Sequence, residues 1–250
     1  MRKKYLFNYD MTFITILSVV LFIIPSAVVY GFYLISRDRE LFYPERYVID
    51  LISKDMNIYY IIGLVIFLVV VFFLWSVLHE VIHGIFYQLK GAKSKNVIYG
   101  MELEKGVFYC RCSEFIYKEN VLLSLLAPFI LTGVVTLIIG MAINSYLLIF
   151  LSVANISGAA GDISMFFFFL ELEDPNMKFM ELGDTLTFVI ESYDDLSKVK
   201  NKGVIFVREV EDYEIKNDNS KKINISVGSY VIILLTILLI IGLVLFKYLV

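Results

Sequence analysis

Residues 58–89 of the chain read IYYIIGLVIFLVVVFFLWSVLHEVIHGIFYQL. This run exceeds the roughly 20 apolar residues that a helix needs to cross a bilayer. Glu80 is the only residue in it that is charged at neutral pH. A helix satisfies all of its own backbone hydrogen bonds, which is what a segment in lipid requires. The run therefore predicts a transmembrane helix that carries one acidic group.

Four further apolar runs accompany this helix. The chain of 250 residues is 59% hydrophobic and 19% charged, whereas soluble domains are about a quarter charged. We therefore expect a polytopic α-helical membrane protein with about five transmembrane helices. The other four runs are 11–36, 121–143, 146–170 and 227–249.

The apolar runs divide the chain into four parts. We expect an N-terminal transmembrane helix with an external loop, a membrane core, a cytosolic segment and a C-terminal transmembrane helix. Their bounds are 1–57, 58–170, 171–226 and 227–250, respectively.

Lysine and arginine placement predicts the orientation. Segments 1–10, 90–120 and 171–226 hold 17 of the 22 Lys and Arg residues. Cytoplasmic loops carry the excess of these residues in membrane proteins. We therefore expect a multi-pass protein of the cell membrane, with the N-terminus in the cytoplasm and the C-terminus outside.

The polar segments show strand patterns. In 94–117, two β-rich stretches flank the turn signal Glu104-Lys105-Gly106, which predicts a β-hairpin. In 171–226, residues 185–190 and 203–207 also have the composition of strands. We expect a small hairpin and a short cytosolic α+β segment beside the helices.

One motif in the second predicted helix has residue types and spacing that are typical of a metal-binding site. The only two histidines of the chain lie in His79-Glu80-Val81-Ile82-His83, which fits H-E-x-x-H. Residues i and i+4 share a helix face, so both imidazoles can bind one Zn²⁺. Glu80 would then lie beside zinc-bound water and act as its general base. The alternative is that the helix protrudes into the cytosol and that these residues are merely interfacial.

A catalytic zinc site takes three protein ligands and leaves one position for water. Asp162 is the only acidic residue between 120 and 170, and ionisable groups inside a membrane span are functional by default. His79 lies 10 residues, ~15 Å, from Leu89, and Asp162 lies 8 residues, ~12 Å, from Leu170. The similar depths favour Asp162 as the third ligand. The alternatives are five acidic residues of the loops: Glu102, Glu104, Glu114, Glu171 and Glu173.

These residues resemble the site-2-protease-type membrane metalloproteases, in particular a group of small membrane zincins. That resemblance implies zinc ligands at His79, His83 and Asp162, and a substrate or oxyanion role for Asn155. It also implies that the 94–117 hairpin offers an edge strand to substrate, although a simple connector explains the hairpin equally well. Asp162 lies in Gly161-Asp162-Ile163 rather than in the Asp-Gly context of typical members.

The leading functional hypothesis is a zinc-dependent endopeptidase that hydrolyses peptide bonds in or near a transmembrane segment. Its partners would be a membrane protein or peptide substrate and the lipid bilayer. The alternative is a non-hydrolytic metal-binding membrane protein, such as a transporter, sensor or scaffold. A net charge of −3 without a basic patch argues against a nucleic-acid partner. Cys110 and Cys112 are expected to be reduced thiols or partners on one face of a strand, because their spacing is poor for an intrachain disulfide. A Cys-x-Cys metal site is the alternative, and it would need further ligands nearby.

Overall fold

The computed structural model describes residues 2–35, 58–102, 107–182 and 187–211. The helices within these ranges are α1 (Met11–Ile35), α2 (Ile58–Leu89), α3 (Lys118–Pro128), α4 (Thr136–Ala142), α5 (Tyr146–Gly158) and α6 (Ala160–Glu171). A π-helical segment, Phe129–Val135, connects α3 to α4. The strands are β1 (Lys3–Tyr9), β2 (Val97–Glu102), β3 (Val107–Cys112), β4 (Ile116–Tyr117), β5 (Lys178–Glu181), β6 (Thr187–Ser192) and β7 (Val204–Glu209).

Three helical stretches are long and apolar enough to cross a membrane: Met11–Leu34, Val65–Leu89 and Lys118–Ala142. The pair α5 and α6, bent by 47°, makes a fourth if it counts as one span. These helices coincide with four of the five predicted apolar runs. The described residues therefore support three or four spans. The fifth predicted helix, 227–249, and the predicted external loop at 37–57 lie outside the described residues.

The break between α5 and α6 lies in the small residues Gly158-Ala159-Ala160-Gly161. The Ala159 N–H still donates to the Asn155 carbonyl at 2.9 Å, and the Ile163 N–H donates to the Ala159 carbonyl at 2.9 Å. The chain thus changes direction without leaving these backbone groups unpaired. As a consequence, Asp162 lies in the first turn of α6.

A five-stranded antiparallel sheet has the order β4-β5-β6-β1-β7. The predicted strand patterns at 185–190 and 203–207 are present as β6 and β7. Strand β1 was not predicted, although it pairs with both of them. The sheet therefore gathers strands from before α1, from the segment before α3 and from the segment after α6.

Aromatic side chains join this sheet to the end of α6. Phe7 of β1 stacks on Phe188 of β6 at 5.6 Å between ring centroids. Phe168 of α6 contacts both rings, at 5.4 Å from Phe7 and 6.2 Å from Phe188. All three side chains are buried. Because burial of a phenylalanine contributes about 1.5–3 kcal/mol, this cluster holds the sheet firmly on the helix.

The predicted hairpin is present as β2 and β3, with a register that runs from Val97 opposite Cys112 to Glu102 opposite Val107. It packs along α2, where the rings of Phe73 and Phe108 meet edge to face at 4.9 Å. Gly84, next to His83, leaves room for the phenol of Tyr99, since a Cβ there would lie 1.9 Å from the Tyr99 hydroxyl. The hairpin is therefore seated against the turn of α2 that carries the H-E-x-x-H motif.

Candidate metal centre

Helix α2 presents the three polar residues of the motif together. The ligand atoms of His79, Glu80 and His83 all lie within 4.8 Å of one another. His79 and His83 are buried, with 8% and 5% of their surface exposed, and Glu80 is half-buried. The i, i+4 spacing places both imidazoles on one face of the helix, as the sequence predicted.

Asp162 reaches the two histidines from α6. Its Oδ2 lies 3.0 Å from the Nε2 of His79 and 3.3 Å from the Nε2 of His83. The two Nε2 atoms lie 3.2 Å apart. Ligands bonded to tetrahedral zinc at about 2.0–2.2 Å are separated from each other by about 3.3 Å. The triangle of donor atoms therefore has the dimensions that a zinc ion requires.

The opposite ring nitrogens determine the tautomer of each histidine. The Nδ1 of His79 lies 3.0 Å from the side-chain oxygen of Asn155, and the Nδ1 of His83 lies 3.0 Å from the carbonyl oxygen of Ser124. Both partners are acceptors, so each neutral imidazole carries its proton on Nδ1. Both Nε2 lone pairs then converge on the Asp162 carboxylate. Three such electron pairs repel each other unless a cation lies between them.

A chain of hydrogen bonds fixes the orientation of the Asn155 amide. Its Nδ2 donates to the Thr132 hydroxyl at 2.9 Å, and that hydroxyl donates to the Pro128 carbonyl at 2.7 Å. The amide oxygen is thereby directed to His79. Gly133 permits the close approach of the two helical segments, since a Cβ there would lie 2.8 Å from Ile156. Such partners orient metal-binding histidines and raise their basicity.

The structure thus brings together His79, Glu80, His83 and Asp162, and it joins Asn155 to the cluster through His79. A direct role of Asn155 toward substrate stays a prediction.

The loop glutamates that were alternative third ligands either contact other residues, are exposed, or have side chains outside the described residues. The Glu114 carboxylate accepts from the Asn96 side chain at 2.8 Å, and that of Glu171 accepts from Asn201 at 2.8 Å. Glu173 is exposed. The side chains of Glu102 and Glu104 lie outside the described residues.

Sequence reasoning missed a further acidic residue near the cluster. Glu181, at the end of β5, accepts the backbone N–H of Cys112 at 2.9 Å. Its carboxylate interacts electrostatically with His83, Glu80 and Asp162. Burial raises the pKa of Glu181 to about 7. No local signal marked it, because β5 reaches the cluster only through long-range strand pairing.

One comparison with known proteins found a match that covers this region of the chain. Residues 71–174, less than half of the chain, match the model of a family described as "Putative zincin peptidase". The matched range includes the whole cluster and Asn155 but neither β1 nor β5–β7. The match supports a zinc metallopeptidase family, and a specific kinship with site-2 proteases stays a prediction. No curated protein and no solved structure matches the chain.

Proposed function

We propose that the protein is an integral-membrane zinc-dependent endopeptidase that hydrolyses peptide bonds in or near a transmembrane segment. The observation that carries this proposal is the convergence of His79, His83 and Asp162 donor atoms at 3.0–3.3 Å beside Glu80. In this proposal these three residues hold the zinc. When bound, zinc supplies a Lewis acid that polarises a carbonyl and acidifies water.

Glu80 serves as the general base and then the general acid. Its carboxylate faces the backbone N–H of Cys110 in the hairpin, which restricts its orientation. From there it takes a proton from the attacking water and returns it to the nitrogen of the leaving amine. A carboxylate that directly follows one metal ligand, His79, and precedes the other, His83, by three residues suits this transfer.

Asn155 acts in the proposal by positioning His79. Both ends of its amide are already engaged, the oxygen by His79 and the nitrogen by Thr132. The Nδ2 group carries two N–H donors, and the bond to Thr132 uses one of them. A contact of the other donor with a substrate oxyanion is compatible with these bonds, but the contacts among the described residues give direct support only to the positioning role.

The proposed location is the cytoplasmic side of the membrane. The five-stranded sheet draws its strands from 1–10, 90–120 and 171–226, which the lysine and arginine distribution assigns to the cytoplasm. Pairing within one sheet requires these segments to share one side of the bilayer, which supports that assignment. His79 lies ~15 Å along α2 from Leu89. We propose cleavage near the cytoplasmic leaflet, and a C-terminus outside the cell.

A single substitution separates hydrolysis from metal binding. Glu80→Gln removes the base and leaves the proposed ligands intact, so we expect about one zinc per chain by elemental analysis and no cleavage. The substrate is a reconstituted single-span polypeptide with flanking peptide sequence, analysed by mass spectrometry. The matched control is Glu173→Gln, which changes an exposed acid after α6.

His83→Ala and Asp162→Ala should lose zinc as well as cleavage. Cleavage by Glu80→Gln at the wild-type rate would contradict the role of Glu80 as the base. Zinc binding without any cleavage by the wild type would contradict the endopeptidase and favour a metal-binding transporter, sensor or scaffold. Retention of zinc by both ligand variants would contradict the metal centre itself.

A further inference from the structure

One face of the five-stranded sheet packs on α6, the helix that contributes Asp162 to the candidate metal centre. Glu181 pairs directly with Phe188, and Phe188 pairs directly with Phe7. Directly opposed residues of antiparallel strands project to the same face. Phe7 and Phe188 contact Phe168 of α6. Glu181 therefore projects from the face that packs on the helix carrying Asp162.

Tyr9 extends this face toward the same cluster. It follows Phe7 by two residues in β1, so its side chain points the same way, and its ring meets Phe188 at 5.4 Å. Its hydroxyl interacts electrostatically with Glu181, Asp162 and Glu80. Tyr9 of β1 and Glu181 of β5, which are far apart in the sequence, therefore both lie near Asp162 and Glu80. The sheet face borders the place where the reaction would occur.

Strand β3 sets the separation between Glu181 and the proposed general base. Cys110 and Cys112 are two residues apart, so their N–H groups point to the same edge of β3, about 7 Å from each other. The Cys110 N–H faces Glu80, and the Cys112 N–H donates to Glu181. The two carboxylates therefore stand side by side along the strand edge that borders the metal centre.

The charge balance at this edge favours a cation beside Glu181 when its carboxyl group is ionised. The ion pairs formed among the described side chains do not include Glu181. With neutral histidines, a zinc ion compensates two of the three carboxylates of Glu80, Asp162 and Glu181. Glu181 is half-buried, and an ionised carboxylate withdrawn from water without a compensating charge either takes up a proton or is stabilised by a nearby cation. A positively charged group from outside the described chain would supply that cation.

We propose that Glu181 selects substrates that carry an ammonium or guanidinium group close to the scissile bond. The proposal rests on the function given above and names its substrate class. The cytoplasmic flanks of transmembrane helices are enriched in lysine and arginine, so a membrane-protein substrate would present such a group at this depth. A free α-amino group is the other source of the same chemistry.

The test measures binding first, so that it does not depend on turnover. Zinc-loaded Glu80→Gln protein is titrated with N-acetylated octapeptide pools in which either lysine or glutamine scans every position. We expect the lysine pool to bind more tightly, on the order of tenfold, as a buried charge pair allows. The added Glu181→Gln substitution should abolish this preference, because its amide oxygen still accepts the Cys112 N–H but carries no charge.

A matched control removes a different acid of the same sheet. Glu209, on β7, is half exposed and pairs with Lys3 at 2.9 Å. Glu209→Gln in the same background should retain the lysine preference. A third pool with free N-termini and no lysine identifies the source, since tight binding there assigns the cation to the α-amino group.

The binding results test the role of Glu181, and they do so independently of whether the protein is an endopeptidase. Equal binding of the pools, or a lysine preference that survives Glu181→Gln, overturns the role of Glu181. Loss of zinc in the Glu181→Gln variant also overturns it, by making Glu181 part of the metal site. Failure of the proposed function appears differently, as absence of cleavage by the wild type while the binding preference persists.

Discussion

Replacement of Asn155 by alanine tests how the metal centre is built. The substitution removes the acceptor of the His79 Nδ1–H bond, which is 3.0 Å long and buried. Loss of such a partner lowers metal affinity about 10- to 100-fold, which corresponds to about 1.4–2.7 kcal/mol. We expect the affinity for zinc to fall within that range while the ligands themselves remain.

The two histidines offer a matched control because their partners differ in kind. His83 donates to the backbone carbonyl of Ser124, so Ser124→Ala removes only the bond from the serine hydroxyl to the His83 carbonyl. We expect this variant to retain zinc affinity within a few-fold. Asn155→Asp restores an acceptor for His79 and should recover most of the loss.

The assay is a competition titration of detergent-purified protein against a chromophoric zinc chelator, with circular dichroism to verify folding. Wild-type affinity in Asn155→Ala would refute the inference that this amide orients His79. An equal loss in Ser124→Ala would refute it as well, since it would reflect general loosening of the core.

Three further predictions concern the surroundings of the site. Gly84→Ala would place a Cβ in the space of the Tyr99 phenol, so we expect a loss of about 1–3 kcal/mol in stability from overpacking, seen as a lower melting temperature. An unchanged melting temperature would mean that the Tyr99 side chain turns away at little cost. Burial raises the pKa of Cys112 to about 12, so iodoacetamide at pH 8 should label it only after denaturation, and rapid labelling of the folded protein would contradict its burial. Three hydrogen bonds, among them one from Ser192 at 2.7 Å, lower the pKa of Asp174; its contribution to stability is therefore present above the unfolded pKa near 4 and is lost as pH falls below it. Asp174→Asn should cost about 1–3 kcal/mol at neutral pH and should flatten the acid limb of a stability profile, whereas an unaltered profile would assign that limb to other carboxylates.

The candidate ligands could be predicted for two reasons: the histidine spacing is a local property of one helix, and acidic residues are rare in the apolar runs. The spacing of His79 and His83 is a property of one helix. Asp162 stood out because acidic residues are nearly absent from the apolar runs around it. By contrast, the partner of His83 is the backbone carbonyl of Ser124, a group that every residue possesses. No residue type marks such a contact in a sequence.

The sheet was predicted only in part, because its register depends on distant segments. Strand β1 has the alternation of a half-buried strand, with Tyr5 and Phe7 buried and Lys4 and Asn8 less so. That signal covers only seven residues and lies directly before α1. Its partners follow about 180 residues later, so nothing nearby distinguishes a strand from a cytoplasmic tail. Glu181 was missed for the same reason.

The position of β1 in the sheet also constrains the order in which the protein is assembled. Ribosomes make the N-terminal strand first, but its partners β6 and β7 emerge only after the apolar helices between them have been synthesised. Contacts of such large sequence separation form late in folding. The face that carries Tyr9 can therefore settle over the candidate metal centre only after the helices between β1 and β6 have been made. A nascent chain would hold the histidine motif long before it holds this cover.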